Sequence, residues 1–265
     1  MLPSLVVKTL RDYRRASIGW LLGISAFVAI YAGSWAQFDA NPDAAATATD
    51  GIPQGVRDAL GVQDFSTGAN YLQGTIYSIF VPLLLIMAAA MFGARAIAGP
   101  EDARVLDLYL ANPISRRQFV LQRFVALTGV LVVLGLVPWL LVSLFNASLD
   151  MGVPAANVAA ASLGLLLIGV CFGTLALAVS SVVGRRSVVL ATTGAIAAGT
   201  YVLRVVGDLV GGLGFLRWLS PFHYYLGGDP LREGFDVAYL IVLMLIPAAM
   251  LAFAVIQFER RDVST

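Results

Sequence analysis

Charged residues are scarce in this 265-residue chain, and lysine occurs only once, at Lys8. They make up 12% of the sequence, whereas a soluble globular domain has about 25%. Hydrophobic residues make up 59%, and the mean hydropathy is +0.84. Such a chain needs an apolar solvent, so we predict an integral membrane protein in contact with a lipid bilayer. The net charge of +1 gives no reason to expect a nucleic-acid partner.

The sequence also lacks the common motifs of catalysis. It has no Gly-x-x-x-x-Gly-Lys-Ser/Thr phosphate loop, which excludes ATP hydrolysis by this chain. Neither a Gly-x-Ser-x-Gly elbow nor an HExxH motif accompanies the one histidine, His223, which we interpret as a residue of the membrane–water interface. The single cysteine, Cys171, can form no disulfide within the chain and fits core packing. We therefore predict no catalytic residue, metal site or cofactor.

Six stretches are apolar over the roughly 20 residues that cross a hydrocarbon core of about 30 Å. Each is predicted to be a helix, because a lone helix satisfies its own backbone hydrogen bonds in lipid whereas an open strand does not. The predicted fold class is an all-α integral membrane protein, with residues 1–265 forming one transmembrane domain. The predicted spans are residues 18–36, 74–98, 124–145, 158–183, 188–206 and 237–258.

Two kinds of residue distinguish these spans from plain apolar helices. Prolines lie inside three of them, at Pro82, Pro138 and Pro247, and each frees a backbone carbonyl that a neighbouring group must cover. The fourth span has small residues at helical spacing, which let another helix approach closely. That pattern fits packing within the chain and contact with a second copy equally well. The small residues are Gly164, Gly169, Gly173, Ala176 and Ser180.

The basic residues predict the orientation, because Lys and Arg concentrate on the cytoplasmic side of membrane proteins. With the N-terminus inside, 13 of the 17 lysines and arginines fall in cytoplasmic segments. Both termini are then cytoplasmic, and residues 37–73, 146–157 and 207–236 are outer loops. We predict a multi-pass protein of the plasma membrane.

Residues 2–15 alternate apolar and basic side chains, a pattern typical of a short interfacial helix on the inner membrane surface. A signal peptide is the alternative, since basic residues precede an apolar run. That run of about 19 residues exceeds the roughly 7–15 residues of a signal peptide, so we favour a retained anchor.

Three connections are long enough to carry function. In the first outer loop, residues 41–50 are rich in Ala, Thr and Asp and are expected to be flexible, and residues 56–60 form an amphipathic segment. The cytoplasmic connection, residues 99–123, is predicted to form a short helix, a turn at Pro113 and a second helix leading into the third span. Glycines and aromatic residues in the last outer loop favour short re-entrant helices before the last span. At the outer end of the fifth span, Arg204 and Asp208 fit an exposed i, i+4 ion pair.

Several of these segments resemble one known family. Glu101 and Asp102 make an acidic start before a Leu-rich helix, residues 113–116 form a Pro-x-Ser-Arg turn, and residues 258–262 form a Phe-x-x-Arg-Asp tail. Together with the basic N-terminus and the first outer loop, these motifs resemble permease subunits of bacterial type-2 ABC exporters, the ABC-2 family, over nearly the whole chain. One departure is residues 104–105, Arg-Val, where many relatives carry Gly-Thr.

The resemblance implies a function and a site. In relatives the cytoplasmic element is a coupling helix that docks into a groove of a separate ATPase subunit. The chain would then be the permease subunit of an ATP-driven exporter, paired with a second permease subunit as a homodimer or heterodimer. It would form the pathway for an amphipathic or hydrophobic substrate. The residues implied in ATPase coupling are Glu101, Asp102, Leu106, Tyr109, Leu110, Pro113 and Arg116.

Other functions remain as alternatives from the residues themselves. Residues 99–123 could be a solvated basic loop, and the whole chain could be an ATP-independent channel or assembly scaffold. An intramembrane enzyme is disfavoured by the missing catalytic groups. Ion-coupled transport generally needs charges within the membrane, and the predicted spans carry only Arg95 and Arg204, both near span ends.

Overall fold

The computed structural model describes residues 5–51, 54, 57, 65–104, 115–210 and 212–261, and within these ranges it is helical with no strand. Among these described residues, six helices are long and apolar enough to cross a membrane, which confirms the predicted number and order of spans. We call them spans 1 to 6. Their bounds are Leu5–Asp39, Gly68–Ala96, Arg116–Ser148, Ala155–Val182, Arg186–Leu209 and Val237–Arg260.

Spans 1 and 3 begin furthest before their predicted starts. In span 1 an unbroken helix, Leu5–Gly33, contains both the basic segment and the apolar run, so the expected interfacial helix is not a separate element. Span 3 begins at Arg116, where Ser115 and Gln118 form a reciprocal capping box. Its 33 residues extend about 50 Å, well beyond a hydrocarbon core of about 30 Å. The hydropathy pattern had located only the part of each helix that is apolar enough for lipid.

Span 4 lies at the centre and packs against spans 2, 3, 5 and 6, while span 1 packs mainly on span 3. Its closest contact is with span 2. A Cβ atom added at Gly93 of span 2 would lie 2.7 Å from the Cβ of Ala176, and one added at Gly169 would lie 2.9 Å from Leu85. Ser180 also donates a hydrogen bond to the Gly93 carbonyl oxygen at 3.3 Å. The small residues of span 4 therefore serve packing within this chain.

One proline site shows how a freed carbonyl is covered, and a π-helical segment before a second proline has a similar hydrogen bond. Pro247 in span 6 removes the N–H that would bond the Leu243 carbonyl, and the Cys171 thiol of span 4 donates to that oxygen at 3.3 Å. In span 2, a π-helical segment, Gln73–Tyr77, precedes Pro82. There the Tyr225 hydroxyl donates to the Tyr77 carbonyl oxygen at 2.8 Å. Cys171 is thus a core residue, as predicted, with a hydrogen bond that the sequence did not indicate.

The described parts of the loops predicted to be outer are more ordered than their composition suggested. Residues expected to be flexible form a helix, Pro42–Asp50, because proline fits the first helical turn and alanine is the strongest helix former. The predicted amphipathic segment at 56–60 lies outside the described residues except for position 57. Before span 6, a 3₁₀ helix, Gly214–Leu219, and two short α-helices, Pro221–Leu226 and Pro230–Glu233, confirm the predicted short helices.

Candidate coupling site and membrane groove

The predicted coupling residues belong to the connection between spans 2 and 3 and to the first residue of span 3. Glu101, Asp102 and Arg116 are described, and they lie at the end of the bundle that holds both described chain ends, which we call the basic end. The other four predicted coupling residues lie outside the described residues: Leu106, Tyr109, Leu110 and Pro113.

Glu101 connects three parts of the chain. It lies on a short helix, Ala98–Asp102, and its two carboxylate oxygens accept hydrogen bonds from Arg261 at 2.6 and 3.0 Å. Paired hydrogen bonds of this kind are among the stronger ion-pair geometries. The same carboxylate covers Gly184, in the link between spans 4 and 5, where a Cβ atom would collide with it. Glycine at 184 therefore lets Glu101 reach the tail of span 6 across that link.

Asp102 acts on the start of span 5. Its Oδ2 atom accepts a hydrogen bond from the backbone N–H of Arg186 at 2.9 Å. The first N–H groups of a helix lack partners within that helix, and a carboxylate there is favoured by the helix dipole. Asp102 therefore attaches the coupling connection to the first residue of span 5.

Arg116 acts on the end of span 6. Its guanidinium donates to the carbonyl oxygens of Phe258 at 3.4 Å and Glu259 at 3.5 Å, and it also contacts the Arg261 carbonyl. The last carbonyls of a helix lack partners in the helix, so Arg116 caps span 6 from the start of span 3. We call Glu101, Asp102, Arg116 and Arg261 the basic-end clamp.

A groove opens among spans 1, 2 and 5, with a volume of about 560 Å³. We call it the membrane groove. Its walls are mostly apolar, and Trp20 of span 1 and Phe222 of the last loop close two of its sides. The apolar residues from span 2 are Ile79, Pro82, Leu83, Ile86, Met87, Ala90 and Met91.

A few polar groups line the groove. The hydroxyl oxygens of Ser78, Thr193 and Tyr201 are buried and have no hydrogen-bond partner among the described residues. Arg186 is the one charged residue among the described residues that line it. Apolar cavities of about 300–1,000 Å³ with few polar groups are typical of small-molecule sites. The sequence did not indicate this groove, because its lining comes from four distant segments.

The end opposite the clamp holds a polar and aromatic cluster. Arg204 was expected in an exposed ion pair, but its side chain is only 8% exposed, and its Nε atom lies 3.6 Å from Asp208. The predicted pair is confirmed, but its predicted exposure was wrong for Arg204, because the last loop covers that face of span 5. His223 is also buried, against the rings of Trp218 and Tyr239.

Burial lowers the pKa of His223, and the positive charge of Arg217 lowers it further, while Asp208 acts in the opposite direction. The histidine is therefore neutral at pH 7 and fits a packing role. Among the described residues, no group of three or more His, Cys, Asp or Glu side chains is placed to hold a metal ion.

Comparison with known proteins gives one clear match. The family model described as ABC-2 family transporter protein matches residues 4–263, nearly the whole chain. A search of curated proteins found no significant match.

Proposed function

Because the chain belongs to the ABC-2 family of transporter proteins, we propose that it is the permease subunit of an exporter whose ATP hydrolysis occurs on a separate ATPase chain. The family match and six apolar spans make it a membrane transporter component. The missing phosphate loop means that energy comes from a partner. The basic-end clamp is the observation that supports the coupling role, because it attaches the connection between spans 2 and 3 to spans 5 and 6.

The clamp fixes both sides of the segment that would contact the ATPase. Residues 105–114 follow Asp102 and precede Arg116, and both of these residues are bonded to other spans. A push on that segment would therefore be transmitted to the start of span 5 and the end of span 6. In this proposal Leu106 and Leu110 contact the ATPase, while the clamp residues transmit the movement.

The membrane groove is the proposed pathway for an amphipathic or hydrophobic substrate. Spans 2 and 5 form two of its walls, and Asp102 is attached to the first residue of span 5. Movement of the coupling connection would thus move one wall of the groove. We further propose that two permease subunits assemble with two ATPase chains.

The first test is whether a gene next to that of this chain encodes a soluble ATPase with a phosphate loop. The second is co-expression of this chain with that ATPase. We expect Leu106→Asp and Leu110→Asp to insert normally but lose ATPase co-purification, because an unpaired charge in that contact costs several kcal/mol to desolvate. Wild-type co-purification and ATP turnover in both variants would refute the coupling role. If the wild-type chain binds no ATPase and conducts solute without ATP, the channel alternative is correct.

A second pair of variants isolates the clamp. Glu101→Gln is expected to keep ATPase binding but lower the ATP turnover of the complex in liposomes by at least about threefold, because it loses the ion pair with Arg261. Glu259→Gln is the matched control, since Glu259 is an exposed carboxylate at the same end. Equal turnover in both variants would show that the clamp transmits nothing.

Orientation is tested separately with single cysteines in a Cys171→Ser background. Ala46 lies in the first outer loop and Ser187 at the basic end of span 5, and both are exposed. With the basic end in the cytoplasm, Ala46→Cys should react with an impermeant thiol reagent added outside intact cells, and Ser187→Cys should not. The reverse pattern would invert the proposed topology.

A further inference from the structure

We propose that the membrane groove selects amphiphiles with an anionic oxygen head group, which Arg186 holds at the basic end while the apolar chain lies along the groove. This inference rests on the groove being the substrate site of the proposed function, and it names the substrate class. The ligand chemistry is a carboxylate, sulfate or phosphate ester joined to a long apolar chain.

The charge balance at the basic end of the groove is positive. Arg186 is the one charged residue among the described lining residues, and its buried Nε atom has no hydrogen-bond partner there. The charged groups that act on it are Arg95, which is like-charged, and Asp102. The Asp102 carboxylate is already bonded to the backbone N–H of Arg186. Among the charges that act at this point, the two guanidinium groups of Arg186 and Arg95 therefore outnumber the one carboxylate.

An anionic head group would complete this arrangement. A cation beside apolar walls is costly without a partner, and arginine offers a planar pair of donors that matches carboxylate and phosphate oxygens. Arg186 is also the first residue of a 24-residue helix, whose dipole favours negative charge at that end. A cationic head group would instead meet two positive side chains.

The shape of the groove accounts for the apolar chain. The lining residues on span 5 extend from Arg186 to Tyr201, about 22 Å along the helix at 1.5 Å per residue. The facing wall of span 2 is apolar from Pro82 to Met91. Ser78 and Thr193 add hydroxyls that can bond a neutral polar group on the chain. The head group is thus fixed at one end and the chain extends away from it.

The groove supplies its own fluorescent reporter. Trp20 lines it, whereas Trp139 lies on span 3, is 37% exposed and is not among the groove residues. We would prepare the full chain with Trp20 as the sole tryptophan, replacing the other three with Phe, in phosphatidylcholine nanodiscs. Quenching would be measured with dodecanoate brominated in mid-chain and with a trimethylammonium amphiphile of the same chain and bromination.

We expect the anionic probe to quench Trp20 at a concentration about tenfold or more below that of the cationic probe, the least that a charge-assisted hydrogen bond gives. Arg186→Gln should abolish this difference, Arg186→Lys should retain part of it, and Arg185→Gln should retain it fully. Arg185 is the matched control because it is the adjacent arginine but does not line the groove. A chain with Trp139 as the sole tryptophan reports partition into the bilayer and should show no effect of these variants.

A second arm distinguishes a membrane lipid from a free amphiphile. Nanodiscs would contain phosphatidylglycerol or phosphatidylcholine with brominated acyl chains in place of the free probe. Stronger quenching of Trp20 by phosphatidylglycerol indicates a lipid ligand, and quenching by dodecanoate alone indicates a single-chain ligand. Equal quenching by anionic and cationic probes, or an anion preference unchanged in Arg186→Gln, would overturn the inference.

The result can be interpreted even if one variant fails to fold or the proposed function is wrong. If Arg186→Gln fails to fold, the comparison of probes on the chain with native Arg186 still decides the preference. The quenching measurement contains no ATPase. A negative quenching result would therefore not bear on the ATPase-driven function, which the co-purification test decides. Conversely, anion selection by Trp20 quenching would stand if co-purification failed.

Discussion

Spans 4 and 5 follow each other in the chain and contain similar small residues, yet only span 4 is buried in the protein. In their most apolar stretches, 72% of the residues of span 4 are buried against 17% in span 5. A Cβ atom added at Gly164 or Gly173 of span 4 would lie 3.1 Å from a neighbouring side chain, whereas none lies within 4 Å at Gly194 or Gly199 of span 5. Glycine in span 4 allows close packing, and glycine in span 5 leaves space.

This difference indicates that span 4 is held by more contacts within the chain than span 5. Span 4 is held from several sides, whereas span 5 is held near its two ends. Asp102 bonds its first residue, and the last loop covers Arg204 near its other end. Between these points span 5 faces the membrane groove. A helix with few buried contacts along its length can shift at low cost, as a moving wall of a pathway requires.

Glycine-to-alanine substitutions give the largest expected contrast. Gly93→Ala would place a methyl group against the Gly173 backbone and 2.7 Å from the Ala176 Cβ, so spans 2 and 4 would have to separate. We expect a loss of about 2 kcal/mol in the free energy of unfolding, measured by thermal denaturation in one detergent. Gly194→Ala, the control in span 5, should be neutral or stabilising by up to about 1 kcal/mol. Equal losses at both positions would remove the distinction between the two spans.

The buried arginine tests how firmly the far end of span 5 is held. Asp208→Asn should destabilise the chain by about 1–2 kcal/mol, because Arg204 would remain buried without its partner. This loss of stability is smaller than that expected for a fully buried ion pair, because the Asp208 side chain is 32% exposed. Arg204→Met combined with Asp208→Asn should recover most of the loss. A double variant as unstable as the sum of the singles would show that the two side chains act independently.

The thiol of span 4 offers a smaller test of its fixed packing. Cys171→Ala should cost about 1 kcal/mol, since it leaves the Leu243 carbonyl oxygen without a donor, while Cys171→Ser should cost less. The same Cys171→Ala change should be nearly neutral beside Pro247→Ala, because alanine restores the backbone N–H for Leu243. Thermal denaturation of the wild type, Cys171→Ala, Pro247→Ala and the double variant measures this coupling. An unchanged cost beside Pro247→Ala would show that Cys171 acts only by filling volume.

Only part of the candidate coupling site could be predicted from the sequence. Pattern and resemblance placed Glu101, Asp102 and Arg116 at one cytoplasmic connection, but their partners could not be found in this way. The Arg261 side chain lies 160 positions from Glu101, and the Arg186 backbone lies 84 positions from Asp102. Arg104 has a positive φ of 54°, a conformation that glycine adopts more easily, at the position where the family pattern has glycine.

The sequence by itself determined that the described chain has six helices able to cross a membrane, their order, and the short helices before the last of them. Hydropathy and helix signals are local, so a stretch of about 20 residues is long enough to reveal them. The tertiary structure alone decided which spans are buried, that Arg204 is covered, and that Arg186 faces an apolar groove. Those properties depend on which helix faces meet, and a near-uniformly apolar span has no polar face to indicate its neighbours.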